Sequence, residues 1–499
     1  MYNSRKIFLF AAAAILTYQL MIPPIAGLAD NGDFPKVTGR FNLYAPVHRI
    51  YEYIDTTYQI RADKHWVSNF ITAEIPLAQL AVWLNSLVSK TPGVFDLRCI
   101  GAVHAALFLL ALWLFAPLLD DRPRWLRWTV YGVVLLLLCD ASYVCALNSF
   151  YMDEAAFVFL LLTVVFYLRM VRWGRQRDAV LSIVCAFLLA FTKSQHTILG
   201  FWIALLFIGA AGSFRALRRR WWYLAAAGLA AAGTLMIWKA QPADYASDAI
   251  YNVVFEKVVP HSHDPDRTLR QLNLDESYRR CIGMKSYLPG SGMQDPEFRA
   301  RFMQRISLGK LAVFYLKRPD IAWRTMTDAL AEAGKQRLFG SFALSTGNPP
   351  FTRSHAFALW SDAKAALFFT RGKRFFFVYL ALLWLMAALL FLHRRGLAER
   401  AWLAGLCLAG GATMELCVST LCDSMDIERH VTIFLVLFDL VLLTCIWLVL
   451  DYSRVRTLKA PTPQHRTRAS RWARPRTDAA PALPVDTFRS DRTPVRPAR

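Results

Sequence analysis

The side chains of this chain that could do chemistry are gathered in a few short polar segments between long apolar runs. The acids among them can accept a proton as general bases. The lysine, the arginine and the histidines can stabilise negative charge that develops on a phosphate. Together these side-chain types predict chemistry on a phosphate-bearing substrate. The candidate catalytic residues are Asp33, Asp153 and Glu154, and the candidate substrate-binding residues are Glu74, Lys193, His196, Arg429 and His430.

Several of these residues also have a purely structural interpretation. Asp33 ends an Asn-Gly-Asp sequence, which is typical of a turn. Asp153 and Glu154 precede an apolar run and fit the cap and first turn of a helix. Lys193 and His196 fit a tight hairpin between two helices, and a wetted position on a surface helix is the structural alternative for Glu74. The sequence leaves these alternatives open.

The polar segments are separated by apolar runs long enough to cross a bilayer, which takes about 20 residues. The chain is 56% hydrophobic, above the roughly 45–50% of soluble domains. The sequence predicts an all-α fold, a polytopic transmembrane helical bundle of about ten spans. The predicted spans are Ile7–Leu28, Arg98–Leu119, Leu126–Leu147, Asp153–Val171, Ala179–Lys193, His196–Gly212, Trp221–Lys239, Phe375–His393, Ala401–Leu421 and Val431–Leu450.

The basic loops predict the orientation of this bundle, because loops rich in Lys and Arg stay in the cytoplasm. Placing all of them inside with both termini requires an even number of crossings, and the candidate site residues then lie on the extracytoplasmic side. The predicted location is a bacterial inner membrane. The basic loops are Arg122–Arg127, Arg172–Arg177, Arg215–Arg220 and His393–Arg400.

The same constraint assigns the ambiguous segment Phe70–Val88. If this segment crossed the membrane, Arg122–Arg127 would face outward. Its Glu74 and Pro76 fit better with an amphipathic helix that lies at the outer surface. We therefore expect residues 30–97 to form one outer loop that contains a juxtamembrane helix.

The domain organisation follows from this topology. Residues 1–239 are predicted to form a transmembrane catalytic core that contains spans one to seven and the outer loop 30–97. Residues 240–373 are too long for an ordinary connection and are predicted to be an extracytoplasmic helical unit. Residues 374–451 carry the last three spans, and residues 452–499 are predicted to be a disordered basic cytoplasmic tail.

The net charge of +22 does not indicate a nucleic-acid partner, because much of it lies in the short loops and the tail. The tail has twelve Lys and Arg residues against three Asp, a net of +9, which suits contact with anionic lipids. The nine cysteines lie mostly in apolar runs and imply no disulfide framework.

Other polar groups fit the site less well. Asp439 and Glu415 lie inside spans, where acids are costly. Their depth is wrong for a headgroup reaction, so we interpret them as hydrogen-bond partners between helices, with proton transport as the alternative. The sequence His261-Ser-His263-Asp264-Pro-Asp266 contains metal-ligand types, but its spacing matches no standard site and favours a solvated loop. A divalent cation is one candidate cofactor, and the metal requirement stays open.

The chain resembles the GT-C superfamily of membrane glycosyltransferases, which includes protein O-mannosyltransferases and aminoarabinose transferases. The resemblance rests on one span followed by a long outer loop with the acidic Asp33, on Ile75–Leu80 and Gly93–Arg98 before the second span, and on Asn148–Glu154 after the third. It covers residues 7–200 in order and spacing. The chain looks nearest to bacterial hexosyltransferase-like members that decorate envelope glycans.

The resemblance implies inverting transfer of a sugar from a polyprenyl-phosphate carrier to an extracytoplasmic glycan, lipid or protein acceptor. Asp33 would be the catalytic base, Asp153 and Glu154 a second acidic position, and Arg429 with His430 would contact the donor phosphate. The first loop lacks the Asp-Glu pair of O-mannosyltransferases and the second lacks a strict Asp-x-Asp, so the acceptor class stays open.

Two rival functions are compatible with a polytopic chain of this kind. A transporter or flippase of lipid-linked sugars commonly has repeated halves, and this sequence shows none. A glycan polymerase or ligase would share the large outer loop but use a diphosphate-linked donor.

Overall fold

A computed structural model describes residues 2–46, 49–61, 70–212, 217–240, 243–333, 339–366, 371–393 and 399–459. The chain divides into two compact units, Met1–Ser453 and Arg454–Arg499. In the second unit only residues 454–459 are described, and they are helical. Most of the predicted tail, and parts of two predicted basic loops, therefore lie outside the described residues.

The described part of the chain is mainly helical, as the sequence predicted. The helices are α1 (Tyr2–Leu20), α2 (Pro35–Thr38), α3 (Glu74–Val88), α4 (Arg98–Phe115), α5 (Arg124–Leu138), α6 (Ala141–Val144), α7 (Met152–Trp173), α8 (Gln176–Ala190), α9 (Thr197–Gly212), α10 (Leu217–Ala240), α11 (Ala243–Asn252), α12 (Pro265–Gln271), α13 (Pro296–Arg305), α14 (Leu308–Lys317), α15 (Pro319–Ala333), α16 (Leu359–Lys364), α17 (Gly372–Leu392), α18 (Glu399–Leu421), α19 (Ile427–His430) and α20 (Thr432–Lys459).

Among the described residues, six helical segments are long and apolar enough to cross a membrane. The pair Arg124–Leu138 and Ala141–Leu147, bent by 52°, makes a seventh if it is one span. The protein is therefore an integral, multi-pass membrane protein. The six segments are Arg98–Leu119, Met152–Trp173, Ser194–Ala211, Gly372–Leu392, Trp402–Leu421 and Thr432–Asp451.

The first predicted span, Ile7–Leu28, is wrong at its end. Helix α1 ends at Leu20, and the chain then passes through Pro23 and Pro24. Proline cannot donate a backbone hydrogen bond and clashes with the preceding turn, so the helix cannot continue through this pair. As a result, the segment that leads to Asp33 is an extended loop rather than the end of a helix.

The segment predicted to be a surface helix is helical over Glu74–Val88, as α3. Ala78 and Ala81 on one side of α3 are buried against the protein. The large apolar side chains Leu80, Trp83 and Leu87 are exposed on the other side. An uncovered apolar face of this kind is typical of a helix that lies at a bilayer surface.

The prediction of an all-α fold is wrong for residues 30–97, because this loop contains a small antiparallel sheet. Strands β1 (Leu43–Tyr44), β2 (Thr57–Ile60) and β3 (Val94–Asp96) pair in the order β1-β2-β3. Tyr58 pairs with Phe95, and both side chains are buried with their rings 5.4 and 5.7 Å from the ring of Phe150. The sheet therefore fixes the first loop against the segment that enters α7.

Two hydrophobic cores hold the remaining helices in place. Helix α7 is central to the first core, because most of its side chains are buried inside the protein. The second core belongs to the loop unit (residues 240–373), where Tyr251, Phe255, Tyr278 and Phe302 pack their rings together. The loop unit is thus folded around its own core rather than being an extended connection.

Candidate functional site

Asp33 is held in a turn built by its neighbours. The Asp30 carboxylate accepts hydrogen bonds from the backbone N–H groups of Gly32 and Phe34, at 2.8 and 3.1 Å. The Asn31 side chain accepts from the backbone N–H of Asp33 at 3.1 Å. Gly32 has φ of 101°, a conformation that side-chain-bearing residues rarely adopt. The turn chemistry expected for Asn-Gly-Asp is therefore present.

Tyr151 connects this turn to the beginning of α7. Its buried hydroxyl donates to the carbonyl of Ala29 at 2.7 Å and accepts from the backbone N–H of Asn31 at 2.9 Å. Asp153 and Glu154 follow directly on the same chain segment. The contact explains why acids that are about 120 residues apart in sequence reach the same region.

Asp153 is buried among cations. Its carboxylate accepts from Lys193 Nζ at 3.2 Å and contacts His196 Nε2 at 3.0 Å. Arg429 Nη1 lies 3.7 Å from its second oxygen. All four side chains are buried. Their charges are therefore stabilised by one another rather than by water. Lys193 and His196 are thus more than hairpin residues, because both bind the α7 carboxylate.

Arg429 bridges the two acidic segments. Its Nη2 lies 2.7 Å from Asp33 and its Nη1 lies 3.7 Å from Asp153, while the guanidinium carbon is 4.7 Å from the centre of the Tyr151 ring. The buried Nε and Nη1 groups have no hydrogen-bond partner in the described part of the chain. The guanidinium therefore keeps donor capacity for an anion with oxygen acceptors.

Asp33 has a second cation, Lys36, with 2.5 Å between Nζ and the carboxylate. Burial by itself opposes ionisation of Asp33, but the charges of Arg429 and Lys36 outweigh it and hold its pKa well below the usual value. Asp33 is therefore ionised at neutral pH while both cations face it.

Glu415 hydrogen-bonds two residues next to Asp153, in agreement with the predicted hydrogen bonding between helices. Its Oε1 lies 2.8 Å from His196 Nδ1 and accepts from Gln195 Nε2 at 3.0 Å. The other ring nitrogen of His196 contacts Asp153. Glu415 lies one and a half to two turns before the end of α18 at Leu421, and the Ser194–His196 turn contacts this helix. Glu415 thus orients His196, and His196 in turn orients Asp153.

His430 lies beside these cations and is neutral at pH 7, because its pKa is lowered. Arg429 Nη2 donates to His430 Nε2 at 3.1 Å, and Lys193 Nζ lies 3.3 Å from His430 Nδ1. That nitrogen lies 3.0 Å from Asp423 and 2.8 Å from Gln195 Oε1. Burial lowers the pKa of His430; the Asp423 carboxylate opposes this, and the Lys193 and Arg429 charges act in the same direction as burial. His430 therefore orients Arg429 rather than adding charge.

Glu74 is not a wetted surface residue, so the structural alternative is wrong for this position. Its side chain is completely buried and pairs with His104 Nε2 at 3.1 Å. The opposite nitrogen of His104 contacts the carbonyl of Leu147 at 2.8 Å. Glu74 thus lies behind the acidic segment of α7, where it is placed to support that segment.

Glu154 differs from its neighbour Asp153 in having no cation close to it. It is 3% exposed, and no salt bridge within 4 Å to a described residue is seen for it. Asp153, Glu74 and Arg429 are the charged groups that act on it.

Lys36 and Tyr245 were missed by the sequence analysis. Lys36 Nζ lies 4.9 Å from the ring centre of Tyr245 on α11 and 5.1 Å from that of Phe70. The two rings meet edge to face at 5.7 Å. Tyr245 brings the loop unit to the site, and nothing in the sequence marks one tyrosine among 18 as the contact.

The remaining polar candidates lie elsewhere. Asp439 accepts from Tyr143 at 2.6 Å, Trp360 Nε1 at 2.9 Å and Lys364 at 3.0 Å, which confirms the predicted hydrogen bonding between helices. In the loop unit, His261 contacts Asp328 at 2.9 Å and His263 contacts Arg324. No group of three or more metal-ligand side chains with suitable geometry occurs among the described residues.

Comparison with known proteins gives one match. A family model described as the YfdI N-terminal transmembrane domain matches residues 3–467. No curated protein and no solved structure is significantly similar to this chain. The match covers all the residues of the candidate site.

Proposed function

The chain belongs to the family of the YfdI N-terminal transmembrane domain, and from this premise we propose that it is an integral membrane glycosyltransferase. It moves a sugar from a polyprenyl-phosphate carrier to an acceptor of the cell envelope, outside the cytoplasm. The observation that carries the proposal is the bridge that Arg429 forms between Asp33 and Asp153. This arrangement combines carboxylates with an arginine that has unused donors, next to the ends of several membrane-spanning helices.

The proposed topology keeps ten spans, with both termini in the cytoplasm. Helices α1, α8 and α10 are the three spans beyond the seven apolar segments of the described chain. The site then lies at the outer membrane–water boundary. A lipid-linked donor presents its phosphate at this boundary while its tail stays in hydrocarbon.

In the proposed reaction, the acceptor hydroxyl oxygen attacks the anomeric carbon of the sugar. The bond from that carbon to the phosphate oxygen breaks, and the polyprenyl phosphate leaves with the electron pair. The hydroxyl proton moves to a carboxylate, for which we propose Asp33. Arg429 and Lys193 stabilise the negative charge on the departing phosphate. Inversion at the anomeric carbon follows from this single displacement.

The two cations that hold the Asp33 pKa low bear on its role as a base. With Arg429 and Lys36 paired to it, the carboxylate binds a proton weakly. A donor phosphate bound to Arg429 neutralises part of this positive charge. The pKa of Asp33 then rises toward its ordinary value. The carboxylate thereby becomes a better proton acceptor when the donor is bound.

The proposal is tested with purified protein and polyprenyl carriers that bear a labelled sugar, supplied either as the monophosphate or as the diphosphate. We expect transfer from the monophosphate only, and loss of roughly 10²–10⁴-fold in Asp33→Asn. Asp320→Asn, which alters an exposed carboxylate of the loop unit, is the matched control and keeps full activity.

Transfer from the diphosphate alone would instead assign the chain as a polymerase or ligase. Full activity of Asp33→Asn would remove Asp33 from the role of base. Either outcome contradicts the proposal at a defined step.

A further inference from the structure

Helix α14 of the loop unit is apolar on the side that faces away from the protein. Its buried side chains, Leu311, Phe314 and Tyr315, belong to the core of the loop unit. At 3.6 residues per turn, the opposite side of the helix is centred on Val313 and Leu316, which are 49% and 83% exposed. A helix that is apolar on both sides does not suit a surface in contact with water, because its second side then has nothing to pack against.

The neighbouring helices of the loop unit have the opposite character. Helix α12 exposes Arg267 and Arg270, and helix α13 exposes Glu297 and Arg301. Charged outward faces of this kind are suited to water. An apolar face beside charged ones is typical of a contact with another molecule or with a membrane, and the surroundings of α14 indicate which of the two it is.

Helix α14 lies at the end of a membrane-length helix. The Tyr315 hydroxyl donates a hydrogen bond to the backbone carbonyl of Leu421 at 3.1 Å. Leu421 is the last residue of the apolar segment Trp402–Leu421, and its side chain packs against the core of the loop unit. Asp423 and Arg429 of the candidate site follow this end of the segment. Helix α14 is therefore close to the level at which a membrane-spanning segment reaches the headgroups, on the side of the candidate site.

The next helix, α15, connects the loop unit to a surface that contacts lipid. The ring of Trp323 packs against Phe376 and Phe377 of α17, with ring centres 4.9 and 6.0 Å apart. Phe377 is 61% exposed, and it belongs to the segment Gly372–Leu392, which is long and apolar enough to cross a membrane. An apolar side chain exposed on such a segment faces hydrocarbon. The surface of the loop unit is thus continuous with the lipid-facing surface of the protein.

We propose that α14 lies on the bilayer surface on the side of the candidate site, with Val313 and Leu316 inserted among the lipids. Both side chains gain free energy by leaving water. Lys317, which is exposed at the edge of this face, keeps its ammonium group among the phosphates while its apolar stem follows the inserted side chains. Lipid is favoured over a protein partner because the unit that carries this face contacts two membrane-length segments. The contact does not depend on whether the chain transfers a sugar.

The test places a photoreactive side chain on this face of the full chain, as Leu316→p-benzoylphenylalanine. The protein is held in nanodiscs of phosphatidylethanolamine and phosphatidylglycerol and irradiated, and phospholipid adducts of the labelled peptide are counted by mass spectrometry. The matched control is Glu297→p-benzoylphenylalanine on α13, where the replaced side chain is 85% exposed. We expect at least about ten-fold more lipid adduct at position 316 than at position 297, because only the first is inserted.

A second change, Val313→Asp, is added to the chain that carries the photoreactive group at position 316. A charge on the apolar face opposes insertion, so the lipid adduct should fall by about five-fold or more. An unchanged unfolding temperature shows that this loss is not due to misfolding. Equal lipid adducts at positions 316 and 297, or an adduct at position 316 that Val313→Asp does not reduce, would overturn the proposal. Crosslinking of position 316 to a second copy of the chain would also overturn it, because the face would then be a protein interface.

Discussion

Two buried ionic clusters link the apolar helices of this protein to the segments between them, and they differ in how completely their charges are satisfied. The closed cluster consists of Asp439, Lys364, Tyr143 and Trp360. Asp439 receives hydrogen bonds from all three partners at 2.6–3.0 Å, and both ions of the pair are fully buried. No donor or acceptor of this cluster is without a partner in the described chain.

The open cluster consists of Asp33, Asp153, Lys193, His196, Glu415, Arg429 and His430. It keeps unused capacity, because Arg429 Nε and Nη1 and Glu415 Oε2 have no hydrogen-bond partner among the described residues. Part of it also reaches solvent, since the Asp33 side chain is 21% exposed. A satisfied cluster stabilises helix packing, whereas an unsatisfied cluster that reaches the surface is suited to a ligand.

The largest expected effect is on activity, from Arg429→Gln in the open cluster. Removing the guanidinium removes stabilisation of the departing phosphate, and we expect sugar transfer to fall by roughly 10²–10³-fold. Arg429→Lys keeps the charge without the fork and should recover only a small part of this loss. The measurement is initial transfer rate per amount of folded protein. A rate within three-fold of the wild type would show that Arg429 does not hold the phosphate.

Substitutions in the closed cluster should lower the stability of the protein rather than its activity. Lys364→Met leaves Asp439 buried without its cation, which is expected to cost about 3–5 kcal/mol of unfolding free energy. The transfer rate per folded molecule should stay within about two-fold, because Lys364 and Asp439 lie outside the open cluster. Thermal unfolding in detergent measures the first quantity.

The double variant Lys364→Met with Asp439→Leu sharpens this result. Replacing both ions with apolar side chains should restore much of the lost stability. A double variant as unstable as Lys364→Met, with a matching loss of transfer, would mean that the two clusters do not have separate roles.

Features that depend on neighbouring residues could be predicted from the sequence, whereas contacts between distant segments could not. Long apolar runs predicted Arg98–Leu119 with correct ends, and capping and turn rules predicted the Asp33 turn. The burial of Glu74 against His104 and the contact of Glu415 with His196 depend on how helices are shifted along one another. Hydrophobic periodicity does not encode this shift, so the sequence predicted a hydrogen-bond role for Glu415 without its partners.

A smaller effect on activity is expected from Glu415→Gln. The glutamine keeps the shape but loses the charge that orients His196, so transfer should fall by about ten-fold. Because Glu415 acts through His196, kcat should fall while the KM for the donor stays nearly constant. The kcat and KM values of the variant check this. A rise in KM alone would instead indicate that Glu415 contacts the donor.

The smallest expected effect is a pH dependence of stability due to His430. Burial lowers its pKa in the folded protein, so the unfolded chain binds more protons below about pH 6.5. The His430 contribution is therefore fully present above that pH and is lost as the pH falls below it. Unfolding temperatures from pH 8 to pH 5.5 should show a smaller decline in His430→Gln than in the wild type. Parallel curves would contradict the assignment of a neutral His430.

The central claim is that the open cluster holds the phosphate of a lipid-linked sugar through Arg429. The most direct measurement is equilibrium binding of a polyprenyl-monophosphate sugar to the wild type, Arg429→Gln and Lys364→Met in lipid nanodiscs. The account predicts that Arg429→Gln weakens binding by about 10–100-fold, while Lys364→Met binds as tightly as the wild type. Equal affinity of all three proteins would contradict it.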